Sequence, residues 1–216
     1  SNSFLTRKYN RQMIEFVNSD KKKIFKNLMS FISLQANSKP DISPIRPILA
    51  KIESKNEFEL IYTRHAISRI VPPTEKQIEK ENSIISQIQP TSFEFSNLLK
   101  ILKEASQSIE LNLGPVLMCH STIWPFKPPF PQCSYFDTIC NDIKEKYKKL
   151  NPGRFVTFPF DSWNVVVKDT FNNFFISGNA VQAQVFLHLN NHDIVHKDSF
   201  APAVTSAQLT SVLKSL

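Results

Sequence analysis

His188, His192 and His196 recur every four residues, the spacing that puts imidazoles on one helical face where they could share a metal ion. The same stretch argues against that chemistry, because Asn190, Asn191 and Asp193 read as a helix end that would scatter the rings. No metal site is therefore expected. Cys119-His120 offers a thiol beside a base, but adjacent residues in an extended segment point to opposite faces, so a buried cysteine is the expected reading. Cys133 and Cys140 lack the second pair that a zinc site needs, and packing beside a helix is their expected fate. With three glycines in the whole chain there is no Gly-rich loop to cradle a phosphate, which argues against nucleotide chemistry. A non-enzymatic role without a cofactor follows as the expectation.

Charge gives a second class of candidates. The formal net charge is +7, with a pI near 9.3. Most basic residues are dispersed; only Lys21 to Lys23 and Lys144, Lys146, Lys148 and Lys149 cluster. Solvated helix faces account for most of this. Contact with an acidic partner ranks second, and nucleic acid third, because aromatic and basic residues do not interleave.

The elements that must position these residues are clearest in STIWPFKPPFPQCSYFDTICNDIKEKYKKLNPGR, residues 121–154. Pro125, Pro128, Pro129 and Pro131 lack amide donors and fix φ, so the first part is an extended connector. Ser134 is the candidate N-cap of a helix carrying Phe136, Ile139, Cys140, Ile143, Tyr147 and Leu150 at helical spacing, which Asn151, Pro152 and Gly153 end. FVTFPF (155–160), NVVVKD (164–169) and FFIS (174–177) are rich in β-branched and aromatic types and predict strands, with Asn172-Asn173 as a hairpin turn and VLMCH (116–120) as a further candidate. AVQAQVFLHL (180–189) predicts a helix with Val181, Val185 and Leu189 on one face, broadened by Ala183 and Phe186.

The first 112 residues predict four or five helices. Ile24, Phe25, Leu28, Phe31 and Ile32 stripe one; Pro47 precedes Ile48, Leu49 and Ile52; Phe58, Ile61, Tyr62, His65 and Ile70 stripe another. Thr74 can cap a helix bearing Ile78, Ile85 and Ile88, which Pro90 ends. The expected fold class is α+β: a helical bundle of the four-helix type over 1–112, a small mixed α/β domain over 113–190, and over 191–216 the start of a winged-helix element, with Leu209, Val212, Leu213 and Leu216 inward.

In this order the residues resemble the C-terminal region of cullins, the scaffolds of RING-type ubiquitin ligases. The family pattern runs from a small-residue strand into Trp-Pro, then a helix ending in Gly-Arg, a strand, a hairpin and a helix centred on a Gln. Here it reads HSTIWPF, YFDTICNDIKEKYKKLNPGRFVTF, WNVVVKDTFNNFFIS and AVQAQVFLHLNN. EFELIYTRHAISRIV (57–71) is similar to the cullin helix with a Phe-x-x-x-Tyr pair, and FSNLLKILKEASQSIELN (95–112) to the helix that carries the family's Leu-x-x-Met-x-x-Asp stretch. Gln89-Pro90-Thr91-Ser92-Phe93 replaces the family's Cys-Gly-x-x-Phe/Tyr-Thr segment and FFISGNAVQ its Leu-Gln-Val-Ser stretch. This marks a divergent member, with a Trp-Pro-Phe turn similar to that of the anaphase-promoting-complex cullin subunit.

The resemblance implies a scaffold that recruits a RING-finger protein and, through it, a ubiquitin-conjugating enzyme, while the substrate receptor binds outside this chain. The family's RING subunit adds an extended segment as a strand to the cullin sheet. Carried onto this sequence, Val165, Val166, Val167, Phe174 and Ile176 would line the pairing hairpin, and Phe155 and Phe158 would supply pockets. Trp124, Pro125, Gly153 and Arg154 would be structural, with Trp124 a buried plug between bundle and sheet, and Lys144, Lys146, Lys148 and Lys149 would face an acidic partner. Two other readings stand beside it: a nucleic-acid-binding module built on the winged helix, and a structural adaptor in a larger assembly.

Composition sets the limits. At 216 residues, 41% hydrophobic with 18 Phe, the chain can bury a sizeable core. No apolar run approaches the ~20 residues of a membrane span, and SNSFLTRKYN lacks the apolar core of a signal peptide. An odd cysteine count without CxxC spacing points to a reducing compartment. The expected location is the cytoplasm, the nucleus or both.

Overall fold

The computed structural model describes residues 2–36, 40–114, 116–126, 134–160, 163–168, 175–192, 196 and 209–210. Among these, the fold is α+β and mostly helical, with eight α-helices and one two-stranded antiparallel sheet. The chain divides into two compact units, Ser1–Pro125 and Phe126–Leu216.

The first unit contains α1 (Asn2–Ser19), α2 (Lys21–Ala36), the short α3 (Arg46–Leu49), α4 (Lys55–Ile70), α5 (Glu75–Ile88) and α6 (Ser96–Glu110). Their ends follow local chemistry. Pro47 sits in the first turn of α3, where a missing amide costs nothing. The Thr74 hydroxyl accepts from the Gln77 amide at 3.3 Å and so starts α5. Pro90 lies in a 3-10 turn, Gln89–Thr91, that closes α5. On α2 the buried face is Phe25, Leu28, Met29 and Ile32, while Ile24 and Phe31 lie at its margins.

Helices α2, α4, α5 and α6 enclose one apolar core whose centre is aromatic. The Phe25 ring meets Phe58 edge-on at 5.3 Å, Phe58 meets Phe93 at 4.9 Å, and Tyr62 meets Phe95 at 4.9 Å. Phe93 and Phe95 both reach inward because Ser92 (φ 71°) and Phe95 (φ 52°) take the left-handed conformation on either side of Glu94. That conformation is costly for residues with a Cβ, and burial of two phenyl rings offsets it.

After α6, residues 116–120 do not form the candidate strand. Their backbone is held by side chains of α6 instead. The Ser108 hydroxyl accepts from the Met118 amide at 2.9 Å, and Glu104 Oε2 accepts from the His120 amide at 2.6 Å. With those donors satisfied, no ladder partner is required.

The second unit contains α7 (Asp137–Leu150), β1 (Asn164–Lys168), β2 (Phe175–Asn179) and α8 (Ala180–Asn190). Ser134 is not the cap of α7: it opens a 3-10 turn, Ser134–Phe136, and Phe136 occupies the cap position without a side-chain hydrogen bond. On α7 the buried residues are Cys140 and Ile143, whereas Ile139 and Leu150 face outward. Residues 155–160 are not a strand either. Pro159 cannot donate to a ladder, and successive tight turns, with the Phe160 amide on the Phe158 carbonyl and the Trp163 amide on the Phe160 carbonyl, fold the segment up. These turns gather Phe136, Phe158, Phe160 and Trp163 into one aromatic cluster, with Phe160 to Trp163 centroids 4.9 Å apart.

The strands pair with Val166 opposite Ser177 and Lys168 opposite Phe175. The expected Asn172-Asn173 turn lies outside the described residues. Asn179 then starts α8 with a reciprocal cap: its side chain accepts from the Gln182 amide, and the Gln182 side chain accepts from the Asn179 amide. Of the expected C-terminal helix, Leu209 and Thr210 are helical and the remainder lies outside the described residues.

Candidate functional site

The period of two in β1 and β2 splits the hairpin into two faces. Val165, Val167, Ile176 and Gly178 are half-buried. Val165 packs on the cluster of Cys140, Phe160 and Ala180. Val166, Lys168, Phe175 and Ser177 face outward. The result is an apolar outer patch on a small sheet, with Val166 59% and Phe175 66% exposed on a cross-strand diagonal. Lys168 Nζ lies 5.9 Å from the Phe175 ring centre. Among the described residues no third strand joins this sheet. A short sheet with an apolar outer face is the kind of surface to which a partner strand can add.

The sequence-derived site residues separate accordingly. Val165, Val166, Val167 and Ile176 come together on the hairpin, and Phe174 lies outside the described residues. Phe158 is half-buried inside the aromatic cluster rather than open as a pocket, whereas Phe155 is 97% exposed. Phe175 is the residue that sequence reasoning missed. The strand register turns it outward.

Gly153 adopts φ 84° after α7, a conformation that L side chains rarely take, and Arg154 follows it exposed. Trp124 is half-buried rather than fully enclosed. The carbonyl of its neighbour Pro125 accepts from Arg64 of α4, at 3.2 Å from Nη2. Two segments far apart in sequence, the Phe58-x-x-x-Tyr62 helix and the Trp-Pro turn, thus meet.

The four lysines of α7 do not form one patch. Lys144 and Lys148 share one side of the helix and Lys146 and Lys149 another. Lys144 Nζ sits 5.6 Å from the Phe158 ring centre, Lys146 pairs with Asp142 at 2.7 Å, and Lys148 and Lys149 lie in the last turn, where cations complement the helix dipole.

The Cys119-His120 pair is not set up for nucleophilic chemistry. Burial, and then the Glu104 carboxylate, push the Cys119 thiol up to about 12, so the thiolate is scarce near neutral pH. Cys119 and Cys140 are both free thiols. Between α2 and α4 lies a groove of about 450 Å³, floored by Phe25, Met29 and Ile61 and edged by Lys22, Lys26 and His65; nothing in it pairs a nucleophile with a base. No helix among the described residues is long and apolar enough to cross a membrane.

The histidines differ from expectation in one respect. α8 runs to Asn190, and Asn191 keeps a right-handed conformation, so the helix end does not separate His188 from His192. Their rings stack with centroids 4.3 Å apart. Comparison with protein-family models and with curated proteins finds no match to this chain.

Proposed function

We propose that this chain is a cullin-like scaffold that recruits a RING-finger protein, and through it a ubiquitin-conjugating enzyme, without catalysing transfer itself. The observation that carries the reading is the succession Trp124-Pro125, α7 ending at Gly153-Arg154, the β1–β2 hairpin, and α8 capped through Gln182. The contact of Arg64 with Pro125 is consistent with it, because it joins the Trp-Pro turn to the helix that carries Phe58 and Tyr62.

In this reading the helices of the first unit form a bundle of the four-helix type, and residues 191–216 open a winged-helix element. The partner's extended tail adds to the hairpin as a further strand, main-chain bonds supplying affinity and Val166 and Phe175 the apolar contact. Metal stays in the RING partner. The substrate receptor binds elsewhere, and the complex works in the cytoplasm, the nucleus or both.

The test is reconstitution with a RING-finger protein of the type that cullins carry. The chain should co-purify with it, and the pair should speed ubiquitin discharge from a charged conjugating enzyme, while the chain alone should not. Val166→Pro fixes φ and deletes an amide in β1, so it damages the strand whichever edge that amide serves. It should abolish capture while leaving far-UV circular dichroism largely unchanged. Failure of the parent chain to hold the RING protein, or full capture by the proline variant, refutes the proposal.

A further inference from the structure

We propose that α1 pairs, antiparallel, with the α1 of a second copy of this chain to form a short coiled-coil dimer. Leu5, Tyr9, Gln12 and Phe16 follow one another along α1 at intervals of four, three and four residues, the spacing of a coiled-coil seam. Leu5 is 63%, Tyr9 62% and Phe16 65% exposed. A single exposed apolar side chain is ordinary, but three aligned on one stripe of a helix make an interaction face.

This stripe is not the one by which α1 packs on its own unit. Val17 is buried, and Met13 and Ile14 are half-buried. Asn18 anchors the end of the helix: its Nδ2 donates to the Lys51 carbonyl at 2.9 Å, and its Oδ1 accepts from the Glu53 amide at 3.1 Å.

Self-complementarity identifies the occupant as a second copy. In the antiparallel register Leu5 meets Phe16 of the second copy and Tyr9 meets its Gln12, and two-fold symmetry repeats both layers. The Tyr9 hydroxyl can then donate to the Gln12 side-chain oxygen, and a polar layer in such a seam fixes its register. Beside the seam, exposed Lys8 faces exposed Glu15 of the second copy. Within its own chain Glu15 pairs with Arg11 through Oε1 at 2.9 Å. Thr6 and Met13, both uncharged, flank the other side. A parallel pair would instead set Glu15 against Asp20 of the other copy, a repulsion. Exposed charges of this kind select the orientation more than they add affinity.

Sedimentation equilibrium of the full chain from low to high micromolar concentration tests this. The parent should pass from the 24.8 kDa monomer to a dimer of twice that mass. Tyr9→Ser and Phe16→Ser should each raise the dissociation constant at least about thirtyfold, the effect of removing a buried aromatic anchor. Both side chains are exposed in the single chain, so the circular dichroism of the dilute monomer should not change. Lys8→Glu and Glu15→Lys should each weaken the dimer several-fold, and the two together should restore it, which neither a parallel pair nor a merely adhesive surface would do. A parent that stays monomeric, whether or not it then sediments with acidic-phospholipid vesicles, overturns the proposal. So does undiminished dimerisation of Phe16→Ser, or a double reversal no better than the single ones.

Discussion

Arg69 grips Glu81 through two parallel hydrogen bonds, Nε to Oε2 at 3.0 Å and Nη2 to Oε1 at 2.8 Å, and so ties α4 to α5 inside the first unit. Glu81 is 2% exposed and also accepts from the Tyr62 hydroxyl. Removing one partner strands the other as a buried, unmatched charge. Glu81→Ala should therefore cost about 3–5 kcal/mol, read as a drop in the urea midpoint with the slope unchanged. Replacing both partners by apolar residues, Arg69→Met with Glu81→Leu, should cost much less. A Glu81→Ala midpoint equal to that of the parent would show that the pair contributes nothing.

The same network predicts a loss of stability in alkali. Burial, and next the Glu81 carboxylate, hold the Tyr62 phenol well above its ordinary value of 10.0. The unfolded chain releases this proton near pH 10 while the folded chain retains it. The contribution is thus fully present below that pH and falls as the pH rises beyond it. Tyr62→Phe should be less stable than the parent near neutrality, because Glu81 loses a donor, and should show a shallower decline of melting temperature above pH 10. Parallel declines would contradict the assignment.

Gly178 sits where the sheet passes into α8. A Cβ there would lie 2.8 Å from Gln182 Oε1, the atom that accepts from the Asn179 amide at 2.8 Å. Gly178→Ala should displace that side chain and cost about 0.5–2 kcal/mol, the range for losing a cap. Gln182→Ala should cost a similar amount, and the double variant less than the sum. Additive losses in a thermal melt would mean that Gly178 matters for another reason.

Cys119 should be slow to alkylate. With its thiol pushed up to about 12 from 9.0, the thiolate fraction at pH 8 falls by about two to three orders of magnitude. Iodoacetamide labelling followed by peptide mapping should show the Cys119 peptide lagging far behind a free cysteine peptide. Glu104→Gln removes the second cause and should speed labelling in part. Labelling at the free-peptide rate would disprove the burial argument.

Local chemistry alone marked α2, α4 and α5, the Thr74 cap, the Pro90 stop, the Gly153 exit from α7 and the existence of α8, because period, capping and proline geometry act over a few residues; α1 was not among the expected helices, and Leu189, expected on the inward face of α8, is exposed. The strand prediction failed for residues 155–160 and 116–120 for the opposite reason. β-branched and aromatic composition states only that a segment fits a half-buried surface. Tertiary neighbours then decided: Trp163 and Phe136 drew Phe158 and Phe160 into an aromatic cluster, and Ser108 and Glu104 took the backbone bonds that a partner strand would have taken. Strand register, which turns Phe175 outward, and the joining of Arg69 to Glu81 or Arg64 to Pro125 depend on which distant residues become neighbours. No local rule contains that information.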